Sequence, residues 1–276
     1  MDILQAILLG IIQGITEWLP VSSSGHLVIA QEFMGIESPL FFDAMVHLGT
    51  LVVVVYVFRK EVIDVIKAFF EIFKDLRSGV PLKESMKEEQ HHMAVLIIIG
   101  TIPTAVIGLV FRDPLESLYS NLLVVGIALL GTGCYLYFTQ FVKPLNGKGI
   151  KEMTAKEALI IGTMQGVAII PGVSRSGSTI STGIFVGLNK EVATRYSFLL
   201  FIPAILGAAI LQTHAVISNG EEIDWIPTLI GTVTAMLVGY MAIQLLLKII
   251  QKSKLHLFSY YCWVVGGLVI IAHFFL

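Results

Sequence analysis

Two short runs gather polar and ionisable side chains inside otherwise apolar sequence. QGITEWLPVSSSGH brings Gln13, Glu17, Ser22, Ser23, Ser24 and His26, and PGVSRSGST brings Ser174, Arg175, Ser176, Ser178 and Thr179. A carboxylate and an imidazole can move protons, a hydroxyl activated by either can attack an electrophile, and a guanidinium offers phosphate a bidentate fork. Gln13 and Glu17 are four apart, so on a helix they share one face. SSSGH and SRSGST each place hydroxyls, glycine and free backbone N–H groups where a half-helix begins, and such an N-terminus attracts anions. The plainer account of Glu17 and Arg175 is a buried ion pair kept for structure. The hydroxyls and amides around the pair favour chemistry on an anion instead.

These residues must be held at membrane depth. Of the 276 residues, 55% are hydrophobic and 14% charged, against about a quarter charged in an ordinary soluble domain. The mean hydropathy is +0.84. A net charge of -2 offers no basic surface for nucleic acid. Cys134 and Cys262 lie in apolar runs without metal or disulfide spacing. No Lys or Arg precedes Arg59, so the N-terminus does not read as a cleavable signal. Ionisable groups cost about 3 kcal/mol each in hydrocarbon, even on the lenient insertion scale, which makes the two polar runs costly unless they serve a site.

Six stretches are long and apolar enough to cross: 41–58, 93–111, 121–141, 192–214, 225–247 and 257–275. Two further regions, 3–35 and 158–188, are broken near the middle by Pro, Gly and Ser. Their arms of about a dozen residues are too short to span and read as re-entrant hairpins. The connector 112–120 reads as a loop, and VIDVIKAFFEIF within 59–92 as an amphipathic helix on the membrane surface. Sixteen of the eighteen basic residues fall in 59–92, 142–157, 248–256 or just after the second hairpin. The tendency of Lys and Arg to stay cytoplasmic puts these segments inside. Threading six spans through that assignment opens the first hairpin outward and the second inward, with both termini external.

Shifting the chain by 152 residues aligns AILLGIIQGITEWLPVSSSG at 6–25 with ALIIGTMQGVAIIPGVSRSG at 158–177, with eight identities in twenty positions, where chance gives roughly two. The expected fold is therefore an all-α polytopic membrane protein forming one integral domain over 1–276. It has six transmembrane helices and two re-entrant hairpins in an inverted repeat, repeat one over 1–141 and repeat two over 158–276. In such folds the hairpin tips meet near the midplane, where irregular backbone is tolerated because it lines a polar cavity.

QGITEWLPVSSSGH and PGVSRSGST resemble the [E/Q]xxxE, SS[ST]GH and PGxSRSxxT signatures of the bacterial undecaprenyl-diphosphate phosphatase family, associated with bacitracin resistance. The likeness covers both motifs, their spacing and the hydropathy of essentially the whole chain. It implies hydrolysis of a C55 isoprenyl diphosphate to the monophosphate and inorganic phosphate, which recycles the carrier for peptidoglycan synthesis in the bacterial plasma membrane, at a site open to the outer face. By the same likeness Glu17, Ser23, His26 and Arg175 are essential, with Gln13, Ser22, Ser24, Ser174, Ser176 and Thr179 around the phosphates. Many members carry Glu where this chain has Gln13, and an amide can hydrogen-bond or coordinate but cannot act as a base.

The expected mechanism holds the terminal phosphate on Arg175 and the 174–179 segment during in-line attack. The nucleophile is either His26 itself or Ser23, deprotonated by His26 with Glu17 orienting the imidazole. A divalent cation, Mg2+ or Ca2+, could bridge Glu17 and the diphosphate, arriving with the substrate. The expected partners are the polyprenyl diphosphate and the bilayer, with a homodimer left open. A transporter or flippase for an anionic lipid or small anion is the alternative, because inverted repeats serve transport as readily. Asp43 and His47 form an i, i+4 pair that could reach the cavity or simply satisfy each other. Tyr260, Tyr261 and the tryptophans read mostly as interfacial or packing residues, with Trp18 alone close enough to the tip to shape the lipid pocket.

Overall fold

Side-chain caps and prolines set several of the helix boundaries along the chain. The structure, a computed structural model, describes residues 1–36, 39–142, 147–220, 222–251 and 254–275. Parts of the connectors 35–40, 142–157, 215–224 and 248–256, including Lys143 and Lys252, lie outside them. In chain order the helices are α1 (Ile3–Trp18), α2 (Ser23–Met34), α3 (Leu40–Val57), α4 (Arg59–Arg77), α5 (Leu82–Ser85), α6 (Glu89–Val110) and α7 (Arg112–Ser117). There follow α8 (Leu122–Phe138), α9 (Ala155–Val167), α10 (Arg175–Phe185), α11 (Lys190–Asn219), α12 (Trp225–Gln251) and α13 (Phe258–Phe275).

The protein is an all-α polytopic membrane protein. Helices α6, α8 with its continuation to Phe141, α11, α12 and α13 are each long and apolar enough to cross a bilayer. Helix α3 is the sixth candidate crossing, and α4 leaves it at 88°. Helix α4 buries Ala68 and Ile72 against Ala94 of α6 and leaves Ile63, Ile66, Phe70 and Phe73 exposed, as an in-plane amphipathic helix would. The connector 112–120, expected as a loop, contains the short helix α7. Asp113 and Pro114 suit its first turn, and Arg112 pairs with Glu116 at 2.8 Å.

The two broken regions fold as helix–turn–helix hairpins, α1–α2 and α9–α10. Both begin with the same device 152 residues apart. The Asp2 side chain accepts from the Gln5 N–H while Gln5 accepts from that of Asp2, and Thr154 and Glu157 repeat the exchange. The capping box carries α1 to 16 residues, longer than the expected arm of about a dozen. At 1.5 Å per residue it still reaches only about 24 Å. Pro20 stops it, since the residue before a proline is driven out of the helical region, and Leu19 is extended (φ -66°, ψ 142°).

Helix packing mirrors the repeat. Helix α1 lies on α12 and α9 on α6, each through a glycine crossing. A Cβ on Gly10 would sit 2.5 Å from the Gly231 carbonyl oxygen, and one on Gly162 only 1.9 Å from that of Gly100. Backbones this close leave no room for a side chain, the usual way membrane helices gain contact where lipid provides no hydrophobic drive. Helices α8 and α13 run antiparallel against each other through Gly126 and Gly266. The tips touch reciprocally, with Gly25 of the first against Gly172 of the second and Gly177 of the second against Pro20 of the first.

Candidate active site

Glu17 sits on the last turn of α1, 5% exposed, and four elements converge on its carboxylate. Oε2 accepts from Ser23 Oγ at 2.6 Å and from Gln13 Nε2 at 3.0 Å, and lies 3.4 Å from His47 Nε2. Oε1 accepts from Arg175 Nη2 at 2.6 Å. Gln13 arrives from one turn earlier on α1, Ser23 from the first position of α2, His47 from α3 and Arg175 from the first position of α10. The acid and the guanidinium expected from opposite repeats are thus in direct contact.

Arg175 is held by apolar rings as well as by charge. Its Cζ lies 3.7 Å from the Phe201 ring centroid and 5.8 Å from that of Trp18. Trp18 is itself wedged edge-on against Phe198 and Phe201. The contact with Phe201 is a cation–π interaction. Only Nη2 is engaged by Glu17. Nε and Nη1 are buried and have no hydrogen-bond partner among the described residues. Two buried donors on one rigid fork suit an oxyanion, since leaving them unsatisfied costs about 1–3 kcal/mol each, and more for a charged group.

The hydroxyls divide into those that build the tips and those that remain accessible. Ser22 Oγ accepts from the Gly25 N–H and meets Ser24 Oγ at 3.3 Å; Ser174 Oγ accepts from the Gly177 N–H and meets Ser176 Oγ at 3.4 Å. Ser22 and Ser174 are therefore N-caps of α2 and α10. Ser176 reaches the Leu19 carbonyl at 3.5 Å, and Thr179 donates to the Arg175 carbonyl and shares a hydrogen bond with Ser197. Ser22, Ser174, Ser176 and Thr179 are all buried, whereas Ser23 and Ser24 are half-buried. By helix geometry the first amides of α2 and α10 have no intrahelical acceptor, so backbone donors flank the Glu17–Arg175 pair.

His26 is placed differently from the expectation that Glu17 orients it. Its Nδ1 is 2.7 Å from the Ser22 carbonyl, its Nε2 2.7 Å from the Tyr261 hydroxyl, and its ring stacks on that of Tyr261 with centroids 5.6 Å apart. The carbonyl accepts from the Nδ1–H, leaving Nε2 as an acceptor from Tyr261. The imidazole beside Glu17 is that of His47. Its Nδ1 meets the Asp43 backbone carbonyl at 2.6 Å, while the Asp43 carboxylate accepts from Gln31. So Asp43 and His47 do not satisfy each other through their side chains. The i, i+4 spacing in an apolar span was the visible sign of His47. Nothing separated Tyr261 or Phe201 from other span aromatics.

Among the described residues no group of three or more His, Cys, Asp or Glu side chains could hold a metal ion.

Comparison with known proteins finds relatives along essentially the whole chain. The profile of the family described as Bacitracin resistance protein BacA matches residues 6–268. The chain is 47% identical to an undecaprenyl-diphosphatase of Desulforapulum autotrophicum, over 99% of each chain. It is 43% identical to one of Methanosphaera stadtmanae and 44% identical to one of Halothermothrix orenii, over 98% of each chain.

Proposed function

Because the chain belongs to the Bacitracin resistance protein BacA family, we infer that it is an undecaprenyl-diphosphatase. It hydrolyses undecaprenyl diphosphate to undecaprenyl phosphate and inorganic phosphate, returning the carrier lipid to peptidoglycan synthesis and conferring bacitracin resistance. At the level of residues the reading is carried by one observation: the Ser23 hydroxyl donates to Glu17 at 2.6 Å while Arg175 grips the other carboxylate oxygen.

In this reading Arg175 Nε and Nη1 and the first amides of α2 bind the terminal phosphate. Ser23 Oγ attacks phosphorus in line, giving its proton to Glu17. The bridging P–O bond breaks and its electron pair leaves with the lipid monophosphate. Water then cleaves the phosphoserine: the Ser23 Oγ–P bond breaks, Glu17 returns its proton to Ser23 Oγ, and the water gives a proton to His26 Nε2. The Nδ1 contact with Ser22 leaves Nε2 as an acceptor, and the Tyr261 hydroxyl must first turn away from it. Gln13 keeps Glu17 aimed at Ser23 without acting as a base. For a divalent cation the chain offers the Glu17 carboxylate and Gln13 Oε1, which is buried without a partner. These are hard oxygens suited to Mg2+ or Ca2+, with the remaining positions left to phosphate and water. The ion would neutralise diphosphate charge.

Rapid quenching of the purified enzyme with phosphorus-labelled undecaprenyl diphosphate tests the nucleophile. Acid-stable label that is lost in Ser23→Ala supports the reading, and acid-labile label lost in His26→Ala replaces Ser23 with a phosphohistidine route. No phosphate release by the wild type would favour transport of an anionic lipid. The distribution of basic residues supports placement in the plasma membrane with both termini and the site facing outward. Labelling of a cysteine introduced at Ser24 by impermeant reagents from either side checks this.

A further inference from the structure

Arg175 is the first residue of α10, so its direction is set by the turn 168–174 that leads into Ser174. The N–H of a helix-capping residue often finds its acceptor in the side chain three residues on, as that of Thr154 does in Glu157 at the start of α9. In α10 that position is Gly177, which has no side chain to offer. The acceptor comes from α8 instead. The Ser174 N–H donates to Thr132 Oγ1 at 3.1 Å, and the same hydroxyl donates to the Gly172 carbonyl at 3.0 Å. One hydroxyl thus satisfies both polar groups flanking Val173, with its hydrogen and a lone pair. Thr16, Thr101 and Thr163 spend theirs on the carbonyl four residues back in their own helices. Thr132, buried at 5% exposure, reaches across. A Cβ on Gly172 would fall 2.5 Å from the Val125 carbonyl oxygen and 2.8 Å from Ala128 Cβ. The turn therefore lies on the α8 face that carries Thr132 one helical turn further on. From the connector before α8, Tyr119 donates to the Ile169 carbonyl at 3.0 Å, a second hold on the same turn.

We propose that Thr132 is a positioning residue for hydrolysis: its hydroxyl fixes the second turn so that Arg175 presents its fork to the phosphate. The inference rests on Arg175 holding the terminal phosphate. The first tip is held less firmly. At Pro20, the residue matched to Gly172, the carbonyl accepts from Cys262 Sγ of α13 at 3.7 Å, and a thiol is a weak donor. The difference fits the two roles. The phosphate-holding tip has to be exact, since misplacement by about 1 Å can cost on the order of 100-fold in rate. The other carries a hydroxyl that moves from Glu17 to phosphorus.

Phosphate release from undecaprenyl diphosphate and melting midpoints in detergent are measured for wild type, Thr132→Val, Thr132→Ser and Thr132→Cys, and for Arg175→Lys with and without Thr132→Val. Thr132→Val keeps the shape and removes the hydroxyl, and its kcat/KM is expected to fall by about 10-fold to 100-fold. Thr132→Ser, which keeps the hydroxyl, should retain most of the release, and Thr132→Cys should fall between the two. Added to Arg175→Lys, Thr132→Val should cost little more, because the group it aims is already gone. Wild-type kcat/KM in Thr132→Val with only a lower midpoint makes Thr132 a structural residue and overturns the inference. So does a loss in Thr132→Ser equal to that in Thr132→Val, or the full loss repeated on Arg175→Lys. Should Thr132→Val not fold, the thiol variant decides, and release by Thr132→Cys equal to wild type overturns the inference. Near-wild-type release by Arg175→Lys instead removes the premise that Arg175 holds the phosphate, and the inference with it.

Discussion

The two hairpin tips have nearly the same frame and different chemistry. Each hairpin starts from a capping box at matched positions, and each tip caps its second helix with a serine that meets the serine two residues on. Each also rests its helix-start glycine on the other tip. Within that frame Ile169, Arg175 and Ser178 stand where the first tip has Glu17, Ser23 and His26. The turns differ as well. The second has its positive φ at Gly172 (95°), whereas the first, with Pro20 at that position, has it at Ser22 (69°). Even the matched glutamines part: Gln13 serves Glu17, while Gln165 donates to Thr104 and the Leu200 carbonyl. A duplicated scaffold can thus hold two reacting partners face to face while leaving each free to diverge.

The strongest way to break this division is Arg175→Ser, which gives the second tip the first tip's residue. We expect phosphate release to fall by at least about 100-fold. Arg175→Lys should restore little, since an ammonium cannot reproduce a fork stacked on Phe201. Near-wild-type release from either protein would place phosphate binding elsewhere.

The shared frame is tested at the glycine crossings. Gly10→Ala and Gly162→Ala should each destabilise by about 1–3 kcal/mol, read as a lower melting midpoint in detergent. Gly162 should be the worse, because its added carbon would fall 1.9 Å from a backbone oxygen against 2.5 Å at Gly10. The opposite order would argue that the two crossings relax differently.

Tyr261→Phe removes the hydroxyl on His26, a partner from α13 that helps to distinguish the first tip. Loss of one hydrogen bond worth about 0.5–1.5 kcal/mol predicts a kcat about threefold to tenfold lower. An unchanged kcat would reduce Tyr261 to packing.

Ser22→Gly and Ser174→Gly delete the same cap from different backbones. Relief of left-handed strain, about 1 kcal/mol or more, should outweigh the few tenths lost with the cap at Ser22. At Ser174, where φ is -74°, only the loss remains. Midpoints shifting in opposite directions sharpen the comparison, and equal shifts refute the strain at Ser22.

The smallest effect is electrostatic. Burial alone would raise the Glu157 carboxyl, but hydrogen bonds from Lys148 and from the Thr154 N–H and hydroxyl outweigh it and hold the group below the ordinary 4.5. A lowered folded value means that this stabilisation is complete above 4.5 and is lost as pH falls through the folded value. Wild type should therefore melt above Glu157→Gln at neutral pH, and the two should converge in acid. The first hairpin has the neutral Gln5 in the matched place. Midpoints that stay apart in acid would assign the difference to packing instead.

Much of this architecture was legible in the order of residues. Apolar length marks a helix that lipid can surround, a proline ends a helix by steric necessity, and matched motifs 152 residues apart disclose two hairpins of one design. The need to offset the burial of Glu17 and Arg175 made their meeting foreseeable. Contacts made through space were not legible, because periodicity reports which face of a helix is apolar and not which helix that face meets. Only the tertiary structure decided that His47 rather than His26 stands at Glu17, that Tyr261 of the last helix holds His26, and that Phe201 carries the guanidinium. It also turned the Ser176 hydroxyl toward the Leu19 carbonyl, a partner available only once the tips had met.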